Sequence, residues 1–165
     1  NEKRIVPVVA INDSSKAADL ASALVAGGLP IAEITLRTPA SLDSIKIAAN
    51  NKDLLVGVGS LRNAEDLKRA HDVGAKFAVS AGFSPSVAVE AARLGIPYFP
   101  GVSTPTEMLQ AINEGISTLK FFPAETLGGV NIGALVTQLA QAGTQFALAH
   151  RGNGGQHEQK VGPLV

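Results

Sequence analysis

Leu119-Lys120-Phe121-Phe122-Pro123-Ala124-Glu125 is a short apolar stretch that carries one lysine and is interrupted by a proline. Its apolar and aromatic residues predict a buried strand, which ends at the proline because proline cannot continue a central strand. Burial removes the hydration of an ammonium group and lowers its pKa, so a nucleophilic free amine becomes available near neutral pH. A Schiff-base lysine requires such an amine. The alternative is a structural lysine whose stem packs on the strand while its head reaches water.

The composition narrows the classes of protein to consider. The 165 residues suffice for one domain with a sizeable core, and 45% of them are hydrophobic. Fourteen basic and fourteen acidic residues give a net charge of zero, which argues against a nucleic-acid or membrane-surface partner. The chain has no cysteine, and its three histidines lack metal-ligand spacing, so we expect no disulfide, metal site or cofactor. Without a membrane-spanning stretch or a signal-peptide pattern, we expect a cytoplasmic protein.

Segments with strand and helix patterns alternate along the chain. The predicted strands cover 5–11, 31–37, 54–59, 76–79, 96–99, 118–122 and 145–148, and the predicted helices cover 17–26, 38–49, 63–73, 85–94, 104–114 and 128–142. Strict alternation predicts a parallel sheet covered by helices, either a doubly wound open sheet or a (β/α)8 barrel. Neither GxGxxG nor GxxxxGK[ST] is present, which disfavours the open nucleotide-binding sheet. A barrel typically needs ~250 residues, so we expect a (β/α)8 TIM-barrel type, C-terminally truncated to six or seven βα units.

Polar residues follow the predicted strands, and in barrels that end of the strands carries the active site. Side chains alternate along a strand, so Glu33, Thr35 and Arg37 share one face. We interpret Glu33 as an acid/base carboxylate and Arg37 as a guanidinium that binds a planar carboxylate through two hydrogen bonds. The alternative is a buried ion pair between these two side chains.

Glycine-rich segments end the third and fifth predicted strands. Gly57-Val58-Gly59-Ser60 offers a close approach to the backbone and a hydroxyl, and Pro100-Gly101-Val102-Ser103 is a similar loop. Each segment taken alone is equally consistent with a simple turn.

Taken together, four segments resemble a known family in their order and spacing. They are Glu33 with 35–38, then 56–60, 99–104 and 120–125. Over about residues 4–146 the chain resembles the bacterial 2-keto-3-deoxy-6-phosphogluconate aldolases, also called 4-hydroxy-2-oxoglutarate aldolases. The resemblance implies a metal-free class I aldolase of the Entner–Doudoroff pathway on a (β/α)8 barrel, commonly a homotrimer. Such enzymes split a small 2-keto acid into pyruvate and an aldehyde, here glyceraldehyde 3-phosphate.

The resemblance also implies roles for single residues. Lys120 corresponds to the Schiff-base lysine, and Glu33 to the group that moves protons. Arg37 corresponds to the residue that binds the carboxylate of the pyruvate end, and Ser60 stands where the family usually has threonine. The remaining expected substrate-binding residues are Gly59, Pro100 and Phe122.

The resemblance ends before the phosphate-binding glycine loops of the family. We therefore divide the chain into an incomplete barrel domain, residues 1–148, and a divergent polar tail, residues 149–165. Codons for 149–153 can be chosen that spell Pro-Thr-Gly-Gly one base later, so a frameshift is one origin for the tail. The open edge of such a barrel could be closed by the tail, by oligomer contacts, or not at all.

Two other functions stay open from the sequence. The first is a catalytically impaired barrel remnant that lacks the phosphate-binding loops. The second is another sugar-phosphate barrel enzyme, an epimerase or a synthase, although the paired aspartates or metal ligands expected for these are not evident.

Overall fold

The computed structural model describes residues 5–127, 145–151 and 157–161. Its strands are β1 Ile5–Val9, β2 Ile31–Thr35, β3 Leu55–Leu61, β4 Ala78–Ser80, β5 Tyr98–Phe99, β6 Gly101–Val102, β7 Thr118–Phe121, β8 Gln145–Arg151 and β9 His157–Val161. Its helices are α1 Ala17–Ala26, α2 Ser41–Ala48, α3 Ala64–Asp72, α4 Pro85–Leu94 and α5 Pro105–Asn113. In the part of the chain that the structure describes, no helix is long and apolar enough to cross a membrane.

The strands form a ring. Their order is β5-β4-β3-β2-β1-β9-β8-β7-β6, and Pro100 is the only residue between the two end strands β5 and β6. These two segments are therefore one interrupted strand, and the order closes on itself with eight strands. Neighbours among β1 to β8 pair in parallel. The fold is thus an α/β barrel, and the open doubly wound sheet is excluded.

The strand β9 lies between β1 and β8, where a truncated barrel could have had an open edge. It pairs antiparallel with β1, with Val6 opposite Gln159, and antiparallel with β8, with Leu148 opposite Lys160. The segment 149–165 thus contributes a strand that closes the ring. Of the three possibilities left open by the sequence, the structure shows closure by the tail.

Several predicted boundaries differ from the structure. The strand predicted over 54–59 extends to Leu61, and the strand predicted over 145–148 extends to Arg151. The short strand β6 was missed because Pro100 interrupts the pattern of the fifth strand. The helix predicted over 128–142 lies outside the described residues.

The inside of the ring has an apolar layer near the amino-terminal ends of the strands. Its members are Val6, Ile31, Phe77 and Val79, with Phe99 packed against them. The rings of Phe77 and Phe99 meet edge to face with their centroids 6.1 Å apart. Among the described side chains, this apolar layer fills the lower end of the barrel, so polar groups above it lie toward the carboxyl-terminal ends of the parallel strands, here called the mouth.

Outside the ring, the helices cover the sheet with small and branched apolar residues. Ala17, Ala21, Ile45, Leu67 and Val87 are buried between helices and strands. Side chains cap two of the helices at the mouth: Asn63 accepts from the Asp66 N–H at 2.8 Å, and Thr104 forms a capping box with Glu107. These caps fix where α3 and α5 begin, and therefore the loops that surround the mouth.

Candidate active site

Two charged residues lie on the inner wall of the barrel, above the apolar layer. Glu33 of β2 is 1% exposed and Lys120 of β7 is 8% exposed. Glu33 is in register with Val8 of β1, and Lys120 is in register with Gly101 of β6. Isolated buried charges are costly, so a carboxylate and an amine inside one barrel point to a functional constraint.

Burial changes the proton affinity of Glu33. Loss of hydration raises the pKa of its carboxyl group above 4.5, while the positive charges of Lys120 and Arg37 oppose this rise. The protonated form is therefore accessible closer to neutral pH than for an exposed glutamate. A carboxyl group whose pKa is raised is a better proton donor at neutral pH than an exposed glutamate, which suits general acid–base chemistry.

Burial shifts Lys120 in the opposite direction. Desolvation lowers the pKa of its ammonium group below 10.5, with Arg37 adding to the decrease and Glu33 opposing it. The ring of Phe122 lies beside the amine, with Nζ 4.9 Å from the ring centroid. An aromatic face gives the ammonium form some stabilisation but no hydrogen-bond acceptor of the strength of water. The free amine is therefore more populated near neutral pH than that of an exposed lysine.

The backbone around Lys120 is fixed on the side of the interrupted strand. The Lys120 N–H donates to the Pro100 carbonyl at 2.9 Å, and the Phe122 N–H donates to the Val102 carbonyl at 3.1 Å. Pro100 is buried and Phe122 is half-buried. The peptide bond between Phe122 and Pro123 is cis, and β7 ends just before it. The two hydrogen bonds hold β7 against β6 on both sides of Lys120.

Gly59 of β3 lies against the side chain of Glu33. A Cβ atom at position 59 would lie 2.6 Å from Cγ and 2.5 Å from Cδ of Glu33, and closer still to Oε1. Such separations are too short for real contacts, so the side chain of Glu33 occupies the space that a residue other than glycine would fill.

Ser60 follows in a backbone conformation that is uncommon for serine, with φ at 59°. It lies in an irregular part of β3, where Val58 pairs with Ala78 and Leu61 pairs with Ser80, three steps on one strand against two on the other. Such bulges often re-aim a side chain next to an active site. Here the Ser60 hydroxyl accepts a hydrogen bond from Nε of Arg37 at 3.1 Å.

Arg37 lies beyond the end of β2 and is exposed at the mouth. Its Nε is bonded to Ser60, so the hydroxyl fixes one edge of the guanidinium and leaves the two terminal nitrogens available to a carboxylate. The predicted sharing of one strand face by Glu33 and Arg37 is wrong in part, because β2 ends at Thr35. Arg37 still contributes to the electrostatics of both Glu33 and Lys120.

The turn that carries Arg37 is held by Thr38, which the sequence predicts only as part of the family pattern, and by Ser41, for which it predicts no role at the site. Ser41 Oγ donates to the Thr35 carbonyl at 2.7 Å, and the Thr38 N–H donates to Ser41 Oγ at 3.2 Å. Thr38 Oγ1 donates to the Ile11 carbonyl, which ties the turn to the end of β1. The spacing Thr38-Pro39-Ala40-Ser41 at a helix start was the available signal, since hydroxyl residues there bond the backbone of the preceding turn.

The sequence of the chain is similar to sequences of known proteins. Residues 1–152 match the aldolase family "KDPG and KHG aldolase". A 2-dehydro-3-deoxy-phosphogluconate aldolase of Pseudoalteromonas atlantica is 42% identical over 127 residues, which are 76% of this chain and 59% of that protein. The chain thus spans about three fifths of the length of this relative.

Two solved structures share the fold closely. The 2-keto-3-deoxy-6-phosphogluconate aldolase of Zymomonas mobilis, determined with 3-phosphoglycerate, has a TM-score of 0.81 and 34% identity, covering 87% of this chain and 68% of its own. The KDPG aldolase of Legionella pneumophila, with pyruvate captured as a covalent carbinolamine intermediate, has a TM-score of 0.81 and 30% identity, covering 87% and 69%.

Proposed function

Because the chain belongs to the KDPG and KHG aldolase family, we propose that it is a class I aldolase that releases pyruvate from a 2-keto-4-hydroxy acid. The observation that carries this proposal is the buried amine of Lys120, electrostatically coupled to the buried carboxyl group of Glu33 on the same inner wall. A low-pKa amine and a high-pKa carboxyl group are the pair that Schiff-base chemistry needs.

In the proposed mechanism, the free amine of Lys120 attacks the C2 carbonyl of the substrate and forms a carbinolamine. Loss of water then gives an iminium ion, for which a nearby acid must protonate the departing hydroxyl group. The covalent carbinolamine named for the Legionella pneumophila relative supports this order of steps by analogy. The iminium withdraws electrons from the adjacent carbon–carbon bond, so that cleavage leaves a neutral enamine.

Glu33 is the proposed group that moves protons. As the acid it protonates the hydroxyl group of the carbinolamine, and as the base it removes the proton from the C4 hydroxyl group. The C3–C4 bond then breaks, the aldehyde leaves, and the bond's electron pair forms the enamine. Glu33 then protonates the enamine at C3, and addition of water to the resulting iminium releases pyruvate and regenerates Lys120. The raised pKa of Glu33 favours its role as the acid, since a larger share of the group is protonated than in an exposed glutamate.

Arg37 is the proposed partner of the substrate's C1 carboxylate. Its terminal nitrogens can form two parallel hydrogen bonds, while Ser60 holds Nε. Phe122 and Pro100 are proposed to line the pyruvate end of the site, since the first faces the amine and the second fixes the strand that bears it. These roles concern the part of the substrate that all 2-keto-4-hydroxy acids share.

The aldehyde end of the substrate distinguishes two candidates. Cleavage of 2-keto-3-deoxy-6-phosphogluconate gives glyceraldehyde 3-phosphate, and cleavage of 4-hydroxy-2-oxoglutarate gives glyoxylate. We propose that the described site serves the pyruvate end of either one. We further propose, from the family resemblance, a cytoplasmic homotrimer, which sedimentation velocity would test.

Turnover of both substrates tests the proposed function. Pyruvate release is followed with lactate dehydrogenase and NADH, and Glu33→Gln is expected to reduce kcat by ~100-fold or more. Circular dichroism shows whether each sample is folded. A folded chain that turns over neither substrate would contradict the proposal and favour the catalytically impaired remnant.

A further inference from the structure

We propose that Gly59 is a positioning residue, whose missing side chain allows the carboxyl group of Glu33 to extend toward the mouth. This inference rests on the proposed function, because it assigns Gly59 a role in proton transfer by Glu33. In this role Gly59 determines the position of another side chain of the protein, in addition to any contact that it makes with substrate.

The strand register shows how far the carboxyl group extends. The backbone of Glu33 pairs with Gly57, whereas Gly59 pairs with Thr35, two residues nearer the mouth. Nevertheless, the atoms from Cγ to Oε1 of Glu33 occupy the space in which a Cβ of residue 59 would lie. The side chain therefore leans along the sheet toward the mouth, from the level of its own backbone partner Gly57 toward the next inward-facing residue of β3. Only a glycine at position 59 leaves that path open.

The same strand offers a matched comparison at Gly57. A Cβ atom at position 57 would overlap the ring of Phe77 rather than a polar group. Both glycines face the inside of the ring and both accept a neighbouring side chain. The ring of Phe77, a member of the apolar layer, packs against Gly57, and the buried side chain of Glu33 packs against Gly59. At both positions a side chain fills the space of the missing Cβ atom, and the positions differ in which side chain an added methyl group would displace.

Displacement of the carboxyl group would also change its electrostatic environment. The described charges that act on Glu33 are Lys120 of β7 and Arg37 beyond β2. A methyl group at position 59 would move the carboxyl group away from its present position between the mouth and the apolar layer. Proton transfer depends steeply on such placement, and an error of ~1 Å can cost about 100-fold in rate.

Deuterium exchange at the methyl group of pyruvate, followed by NMR in heavy water, isolates this proton transfer from cleavage. Gly59→Ala should slow exchange by ~100-fold, whereas Gly57→Ala should slow it by no more than the loss of folded protein explains. In the Glu33→Gln background, Gly59→Ala should add less than ~3-fold, because residues that act through one another are not additive. An equal factor in both backgrounds would overturn the proposal.

Thermal melting tests the underlying contact even where Gly59→Ala is too unstable for kinetics. The change Glu33→Ala should raise the melting temperature of Gly59→Ala by more than it changes that of the wild-type protein, because shortening residue 33 also removes the clash. The matched pair Glu33→Ala/Gly57→Ala should show no such recovery over Gly57→Ala. Recovery at both glycines, or at neither, would overturn the proposal. If the wild-type protein exchanged no deuterium, the proposed function would fail, and melting would still decide whether Gly59 positions Glu33.

Discussion

The two halves of the barrel hold the two ends of the candidate site in different ways. The half from β1 to β5 consists of consecutive parallel strands covered by α1 to α4, and it supplies Glu33, Gly59, Ser60 and Arg37. The half from β6 to β9 supplies Lys120. Among the described residues, α5 is the helix that covers this half, and its buried residues belong to a separate apolar cluster. This half joins the first half at two seams, Pro100 between β5 and β6 and the antiparallel strand β9 next to β1.

The two halves therefore differ in what fixes the position of their functional groups. The carboxyl and guanidinium groups are fixed within neighbouring strands, through the contact of Glu33 with Gly59 and the bond of Arg37 to Ser60. The amine of Lys120 belongs to the other half, so its position relative to the carboxyl and guanidinium groups depends on closure of the ring across both seams. Variants in the first half should therefore alter single groups, whereas variants at the seams should alter the distance between the halves.

The largest expected effect comes from removing the amine. Lys120→Met should reduce turnover by at least ~10⁴-fold, because the proposed covalent intermediate forms on this amine. The same change should raise the melting temperature near neutral pH. The pKa of Lys120 is lowered from 10.5 on folding, so stability is lost as the pH falls from 10.5 through the folded pKa, and the substitution removes this loss. Retention of turnover by the folded variant would contradict the assignment of the nucleophile.

The next effect concerns the second seam. A chain that ends after residue 156 lacks β9, so β1 and β8 lose their antiparallel partner. The backbone hydrogen bonds of β9 contribute about 0.5–1.5 kcal/mol each, so the free energy of unfolding should fall by several kcal/mol. Amide hydrogen exchange should accelerate most in β1 and β8 and least in β3.

A chain that ends after Val161 serves as the control for this truncation, because it retains the whole of β9. Uniform acceleration in both truncated chains would show that the tail has no specific role in closing the ring. Unchanged exchange in β1 after removal of β9 would contradict the observed strand order.

A smaller effect is expected for the guanidinium. Arg37→Lys should raise KM by about 10- to 100-fold with little change in kcat, because lysine cannot form the two parallel hydrogen bonds to a carboxylate. It also loses the Nε bond to Ser60. Arg62→Lys is the matched control, since Arg62 is exposed and paired with Asp66 at 3.1 Å. Equal KM changes in both variants would indicate a general loss of positive charge rather than a specific site.

The smallest effect is the pH dependence of stability that Glu33 imposes. Its pKa is raised on folding, so the fold favours the protonated form, and stability is lost as the pH rises from 4.5 through the folded pKa. Glu33→Gln removes this loss, at about 1.4 kcal/mol per unit of raised pKa. Urea unfolding of both proteins should therefore diverge with increasing pH. A constant difference would show that the ionisation of Glu33 is not coupled to folding.

Parts of this account could be predicted from the sequence. A lysine inside an apolar run and a glutamate in a predicted strand stand out because buried charges are costly, and both lie on the inner wall. The βα alternation predicted a parallel sheet covered by helices, since each unit is encoded locally by a strand pattern, a cap and a helical period. The absence of nucleotide-binding glycine motifs then favoured the barrel over an open sheet.

Other features depend on contacts between distant segments. Glu33 occupies the space next to Gly59 because of the register of β2 against β3. No local sequence pattern encodes this register. The left-handed conformation of Ser60 arises at a bulge defined by the pairing of β3 with β4. The strand β9 has the mostly polar sequence His157-Glu158-Gln159-Lys160-Val161, so it lacks the apolar pattern by which strands are found.

Borohydride trapping with pyruvate is the most direct test of the claim that the two halves form one Schiff-base site. Reduction should fix one pyruvate to each folded chain, and peptide mapping should place it on Lys120, with no adduct in Lys120→Met. A folded chain that forms no adduct, or forms it on another lysine, would contradict the account.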